Sequence, residues 1–328
     1  ADNRHIFFVT EDDVTKRSNL VWRLDLQGGK PEVVFDEKDE LYRIGVGRTK
    51  DHKYLVVECQ STDTWEARYL PSDKPRAAFK VLLPREKGHK YDLEHREGLF
   101  YIRTNKGAKN FRLVTAPTAT PDPKHWTEVL PHRADVLLEG LEPFKDFLVV
   151  TEKSQGLDRF RIFDVKIKAW RDVTFPESVY AAFPGGTPEY SSTAFRFNYQ
   201  SMITPSSIYD CDMATGKSTL LKQTEVLGGY DKTQYVTERL WAPARDGVKV
   251  PLSVVYKRGV KRDGTAPLFL YAYGSYGFGM SATFSIPRLS LLDRGMVYVI
   301  AHIRGGNEMG EAWHDDGMLM KKMNTYTD

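Results

Sequence analysis

Five times between residues 5 and 223, apolar residues rise and fall in the same order. HIFFVTED, KYLVVECQ, GLFYIRTN, DFLVVTEK and TAFRFNYQ are five β-rich segments of one type, with strand cores beginning at Ile6, Tyr54, Leu99, Phe147 and Ala194. The intervals are 48, 45, 48 and 47 residues. After a polar turn each is followed by a second segment: NLVWRLDL, WEARYLPS, NFRLVTAP, DRFRIFDV and SSIYDCDM. These recur at 46, 45, 48 and 48 residues from Asn19. Third segments follow (PEVVF, FKVLLP, TEVLP, WRDVTF, STLLK), and all repeats but the first have a lead-in, YRIGVG, YDLEH, VLLEGL or VYAAF.

Two series sharing one period predict a repeat architecture. Four short strands in a unit of about 40–50 residues are the pattern of a β-propeller blade. A blade buries its faces only against its neighbours, so the unit of folding is the array. The WD and kelch signatures are missing, which places the repeats in another lineage. About five blades occupy 1–228, and the first lacks its lead-in strand.

After GGYDKTQ (228–234) the period stops, and the Gly-Gly-Tyr-Asp stretch reads as a linker before a second domain over 229–328. YVTERLWAP and VPLSVVYKR read as a hairpin-like pair. PLFLYAYG (267–274) and MVYVIAHIRG (296–305) are nearly continuous apolar runs, the pattern of strands buried on both faces. Between them SIPRLSLLDRG predicts a short helix closed by Gly295. This order predicts the opening part of an α/β sheet.

Composition narrows the function classes. With 47 basic and 44 acidic residues the net charge is +3, too small for this length to indicate a nucleic-acid or polybasic membrane partner. YKRGVKRDG (256–264) contains two glycines and lies between strands, so it reads as a solvated loop. No apolar run reaches the ~18–20 residues of a membrane helix. Cys59 and Cys211 stand alone, without ligand spacing; one disulfide stays open, but the usage fits a reducing compartment and gives no metal site. The start, ADNRHIFFVTED, has no signal-peptide pattern, and with the abrupt close on MNTYTD both ends read as cut. The cytoplasm is the expected compartment, with the periplasm left open.

YAYGSYGFG (271–279) carries the candidate chemistry. Ser275 between Gly274 and Gly277 suggests a nucleophile, but the hydrolase elbow is Gly-x-Ser-x-Gly and the upstream glycine is one position too close. Ser275 is expected to be a small turn residue. Other candidates have structural readings: His302 as a core histidine, Arg304 and Glu308 as an ion pair bracing the RGGNE turn, and His314, Asp315 and Asp316 as a helix-entry or loop cluster. Met318, Met320 and Met323 are expected as core or interface contacts.

PLFLYAYGSYGFG, RLSLLDRGMVYVIAHIRGGNEMGEAWHDDG and KKMNTYTD together resemble the prolyl oligopeptidase family, and within it the oligopeptidase B branch. The resemblance implies a serine peptidase of short peptides with a seven-bladed propeller and an α/β-hydrolase domain, needing no cofactor. Against that plan the chain would lack about two blades and the C-terminal part of the hydrolase domain, with the Ser-Asp-His triad. On its own it is then expected to be inactive, its partner being the C-terminal remainder of the same protein. The resemblance makes Tyr273 the second tyrosine of a Tyr-x-Tyr-Gly motif, whose hydroxyl donates to the oxyanion. It makes Tyr276 a wall of the pocket for the residue before the scissile bond; the alternative is a loop aromatic packed on the propeller. Cleavage after Arg or Lys is implied by the branch, yet Ser281 and Thr283 stand where acidic residues would be expected. A proline-specific peptidase and a non-catalytic propeller scaffold are the competing readings.

Overall fold

A computed structural model describes residues 3–328. Each repeat forms one sheet whose strands neighbour each other in chain order. The first has β1 (His5–Glu11), β2 (Ser18–Asp25) and β3 (Glu32–Asp36). The second has β4 (Arg43–Arg48), β5 (Tyr54–Gln60), β6 (Trp65–Pro71) and the two-residue β7 (Lys80–Val81). The third contains β8 (Tyr91–Arg96), β9 (Leu99–Thr104), β10 (Arg112–Pro117) and β11 (Thr127–Leu130). The fourth contains β12 (Val136–Pro143), β13 (Phe147–Ser154), β14 (Leu157–Asp164) and β15 (Ala169–Asp172). The fifth contains β16 (Ala181–Pro184), β17 (Ala194–Gln200), β18 (Ser207–Asp212) and β19 (Ser218–Gln223).

Strands β5, β9, β13 and β17 begin at the residues from which the repeat is counted, because the central strands are the most buried and carry the strongest apolar signal. The outer strands β7 and β19 are short or mostly exposed, which blunts the open edges.

The chain packs as two compact units. One holds the first three sheets with residues 141–145 and 188–191; the other holds 134–140, 146–187 and 192–328. In the first, Phe100 and Ile102 of β9 are wholly buried among Tyr69, Tyr91 and Val114. The Tyr91 hydroxyl donates to Leu83 O (2.9 Å) and accepts from Ala67 N (2.9 Å), so this polar group is buried with both roles filled. In the second, an aromatic cluster joins the fourth and fifth sheets: Phe160 meets Phe195 edge-on at 5.2 Å, and Phe175 stacks on Tyr199 at 5.4 Å. Cys59 and Cys211 are both buried and unpaired, so the disulfide left open by the sequence does not form. Burial pushes the Cys59 thiol up to about 12, away from reactivity.

The residues after Gly229 form a separate sheet in the second unit. β20 (Tyr235–Pro243) and β21 (Lys249–Lys257) pair antiparallel along their whole length. β22 (Leu268–Ala272) and β23 (Val297–Ala301) are parallel, and the order is β20-β21-β23-β22. The parallel crossover carries α1 (Ile286–Asp293), which places Leu292 against Val255 and Ile300. It ends in a Schellman turn: Met296 N donates to Leu291 O, Gly295 N donates to Leu292 O, and Gly295 has φ +84°.

The expectation for the two apolar runs holds for β23 and fails for β22. β23 lies inside the sheet; β22 is the edge strand, with Leu268 and Leu270 58% and 61% exposed. The exposed apolar edge of this sheet is therefore β22. No helix among the described residues is long and apolar enough to cross a membrane.

Candidate active site

Tyr273 follows the carboxyl end of β22, the edge strand of a mixed sheet and half of its one parallel pair, at the end where ligands of α/β folds gather. It is 42% exposed, and its hydroxyl has no hydrogen-bond partner among the described residues. The next residue is locked. A Cβ on Gly274 would lie 2.6 Å from Arg304 O, and one on Gly305 2.2 Å from Gly274 O. A Cβ on Gly317 would lie 2.1 Å from Gly305 N. Three segments thus meet main chain to main chain, which only glycine permits. Gly277 N donates to Gly305 O (3.0 Å).

Residues 275–278 form a tight turn in which Phe278 N donates to Ser275 O (2.9 Å). Tyr276 and Gly277 occupy its centre with φ +56° and +73°, the type I′ pattern. Left-handed backbone costs an aromatic residue about 1–2 kcal/mol, and at 83% exposure Tyr276 recovers little of that by packing. An exposed ring held in a strained conformation points to a ligand-facing task.

Ser275 does more than permit the turn. Its Oγ accepts from Lys322 Nζ (2.7 Å), which also donates to Gly274 O (2.6 Å). The atoms are those of a Ser–Lys dyad, but Lys322 also holds the Gly274 carbonyl, so its contacts brace the loop. Sequence inspection does not find Lys322, 47 residues away.

Behind this loop lies a buried polar array. Arg239 Nη1 donates to Ser253 Oγ (2.9 Å), and Ser253 Oγ lies 2.7 Å from His302 Nε2. His302 Nδ1 lies 3.3 Å from Glu308 Oε1. Ser–His–Glu in that order resembles a hydrolytic triad, yet the three residues are 0, 2 and 4% exposed. Ser253 sits in mid-strand, and the cavity beside the array, about 30 Å³, has room for a single water and none for a peptide. The array is structural. His302 is a core histidine as expected, but Ser253, Arg239 and Glu308 were not legible as its partners.

Burial holds the His302 imidazole below its ordinary value. The sign follows: the unfolded chain binds the proton more readily, so stability from this neutral histidine is complete above about pH 6.5 and is lost as pH falls toward the folded value. In an NMR titration the His302 ring is expected to protonate at lower pH in the folded protein than in the unfolded chain. A ring that titrates at or above the ordinary value of about 6.5 would contradict the assignment.

The expected Arg304–Glu308 pair does not form. Arg304 turns back to Asp328, Nη2 to Oδ1 at 2.5 Å, and to Asp246 at 2.8 Å. Glu308 faces His302 instead, because the chain reverses at Gly305 and Gly306. His314, in α2 (Glu311–Asp315), lies 3.6 Å from Asp315, its ring about 4 Å from where a Gly277 Cβ would be. Met318, Met320 and Met323 are 36, 98 and 65% exposed, which removes the core half of the core-or-interface expectation; Met323 opens α3 (Met323–Thr327).

Comparison with known proteins bears on the family and the fold. The family profile described as prolyl oligopeptidase, N-terminal β-propeller domain, matches residues 1–224, and the prolyl oligopeptidase family profile matches 282–328. Dipeptidyl aminopeptidase BI of Pseudoxanthomonas mexicana is 44% identical over all of this chain and 45% of its own length. Protease 2 of Moraxella lacunata is 33% identical over 99% of this chain and 46% of its own. Among solved structures, oligopeptidase B from Leishmania major superposes with a TM-score of 0.91 at 33% identity, covering 99% of this chain and 47% of that one. Oligopeptidase B from Trypanosoma brucei with covalently bound antipain gives 0.92 at 31%, covering 99% and 48%. The chain spans about half the length of the relatives it matches. The five repeat sheets are blades of a β-propeller, and the sheet after them is the start of a hydrolase domain.

Proposed function

The chain belongs to the prolyl oligopeptidase family of serine peptidases, and from that premise we propose that it is the propeller (1–228) and oxyanion-loop portion (229–328) of an oligopeptidase cleaving short peptides after Arg or Lys. Tyr273 donates its hydroxyl to the oxyanion of the tetrahedral intermediate, and Tyr276 forms a wall for the residue before the scissile bond. The Ser-Asp-His triad lies outside residues 1–328, so this chain alone is inactive. The C-terminal remainder of the protein covers β22, where four apolar side chains are at least 40% exposed. The observation that carries the reading is a strand-end tyrosine with an uncommitted hydroxyl, beside a loop fixed by three glycine contacts and Lys322.

For catalysis, the attacking serine turns the peptide carbonyl oxygen into an oxyanion. A donor already placed for that charge stabilises the transition state more than the ground state, and so raises kcat. An aromatic face at Tyr276 suits a guanidinium by stacking and cation–π contact.

A second reading has its own support: the relative that is 44% identical is named a dipeptidyl aminopeptidase, and Ser281 and Thr283 supply no carboxylate for a basic side chain. The complete protein, read through to its stop codon, should be assayed on blocked Arg-, Lys- and Pro-amides and on an amide with a free N-terminal dipeptide. The proposal expects the blocked Arg and Lys substrates to be cleaved at least tenfold faster than Pro. Pro preference, or a requirement for a free amino terminus, contradicts the specificity. A reading frame with no Gly-x-Ser-x-Gly after Asp328 supports a scaffold instead.

A further inference from the structure

Glu308 is held in an unusual way. Its carboxylate fills the space beside two glycines: a Cβ on Gly279 would lie 1.5 Å from Oε1, and one on Gly306 1.9 Å from Oε2. Gly279 closes the Tyr273 loop and Gly306 belongs to the turn that Gly277 is bonded to, so one side chain sets the path of both. The residue is 4% exposed, and Oε2 has no hydrogen-bond partner. A buried carboxylate with an unsatisfied oxygen is unfavourable, and its single side-chain bond comes through His302, Ser253 and Arg239.

Both ends of that array touch the tip of the β13–β14 hairpin. Gly156 N donates to the main-chain oxygen of Glu308 (2.9 Å), and Arg239 Nη2 donates to Gln155 O (2.6 Å). Gln155 and Gly156 have φ +51° and +73°, and a Cβ on Gly156 would lie 2.3 Å from Arg239 Nη2. The hairpin tip is therefore in direct contact with both Arg239 and Glu308.

We propose that Glu308 is a positioning residue that couples the seating of the blade-four hairpin tip (Gln155–Gly156) to the placement of the Tyr273 loop. With the hairpin seated, the Glu308 main chain is fixed, the array orients its carboxylate, and the carboxylate wedges Gly279 and Gly306 so that Tyr273 points at the reacting oxygen. With the hairpin displaced, the wedge is loosened and the loop loses its catalytic geometry while peptide binding elsewhere persists. The inference rests on the oxyanion reading of Tyr273.

The test is a double-mutant cycle on the complete protein, with kcat and KM measured on its best peptide amide and folding checked by thermal melting. Glu308→Gln is expected to lower kcat 10–100-fold with KM within threefold. Gly156→Ala, whose added Cβ presses the hairpin tip against Arg239, should give the same pattern, and stands in should Glu308→Gln fail to fold. In a Tyr273→Phe background Glu308→Gln should add less than a threefold loss, because the loop's contribution is already gone. Wild-type kcat in both single variants, or losses that multiply in the double variant, overturns the coupling alone. Wild-type kcat in Tyr273→Phe removes the oxyanion reading beneath it.

Discussion

Tyr273→Phe lowers kcat of the complete peptidase by about 10²–10³-fold, the effect of removing one oxyanion donor, and leaves KM within about threefold. The change deletes one oxygen. The ring stays, so its exposed place at the end of β22 and the glycine contacts beside it are unaltered. Only the donor is lost, and a donor acts chiefly on charge that develops in the transition state. A kcat-specific loss is therefore the signature, whereas a packing defect would spread into KM and stability. Steady-state kinetics with melting curves of both proteins decides between them; an unchanged kcat excludes the assignment.

Arg304→Met destabilises the second unit by about 3–5 kcal/mol, the cost of leaving a buried charge without its partner. Arg304 is 4% exposed, and the Asp328 side chain it holds is wholly buried. Its Nε bonds both Asp328 oxygens at 3.0 Å, and the hydrogen bond to Asp328 is the first cause that keeps the guanidinium above its ordinary range. Removing the fork strands that carboxylate with the Arg304 main-chain N–H as its remaining bond to this residue (2.8 Å). Asp246, at 46% side-chain exposure, is the solvent-screened arm, and Asp246→Ala should cost far less than Arg304→Met. Urea unfolding of the three proteins measures the difference. Equal losses for Arg304→Met and Asp246→Ala would contradict the division between buried and screened arms.

Much of the fold is legible because repetition amplifies it. A single apolar run is ambiguous between helix and strand, but five runs in one phase place the starts of β5, β9, β13 and β17 to the residue. The helix α1 and its closing Gly295 are legible for the same kind of reason, a local signal with a local cause. What escapes the sequence depends on contacts across the chain. Arg304 faces Asp328 rather than its near neighbour Glu308 because two glycines turn the chain between them. β22 reads as buried on both faces, since its composition records a doubly covered strand, while 40–61% of its large apolar side chains is exposed here.

The candidate site divides the same way. Tyr273 and Tyr276 are visible through the YAYGSYG motif. The strained backbone of Tyr276 and the hold of Lys322 on Gly274 and Ser275 are tertiary facts. Gly279 and Gly306 are the one signal in the sequence for Glu308, and without coordinates they read as ordinary loop glycines.

The central claim is that these residues supply the oxyanion half of an active site and not its nucleophile. Labelling the active, complete protein with a fluorophosphonate, followed by peptide mass spectrometry, tests it most directly. The account predicts a single labelled serine C-terminal to Asp328 and no labelling of residues 1–328. A label on Ser275 or Ser253 would contradict it.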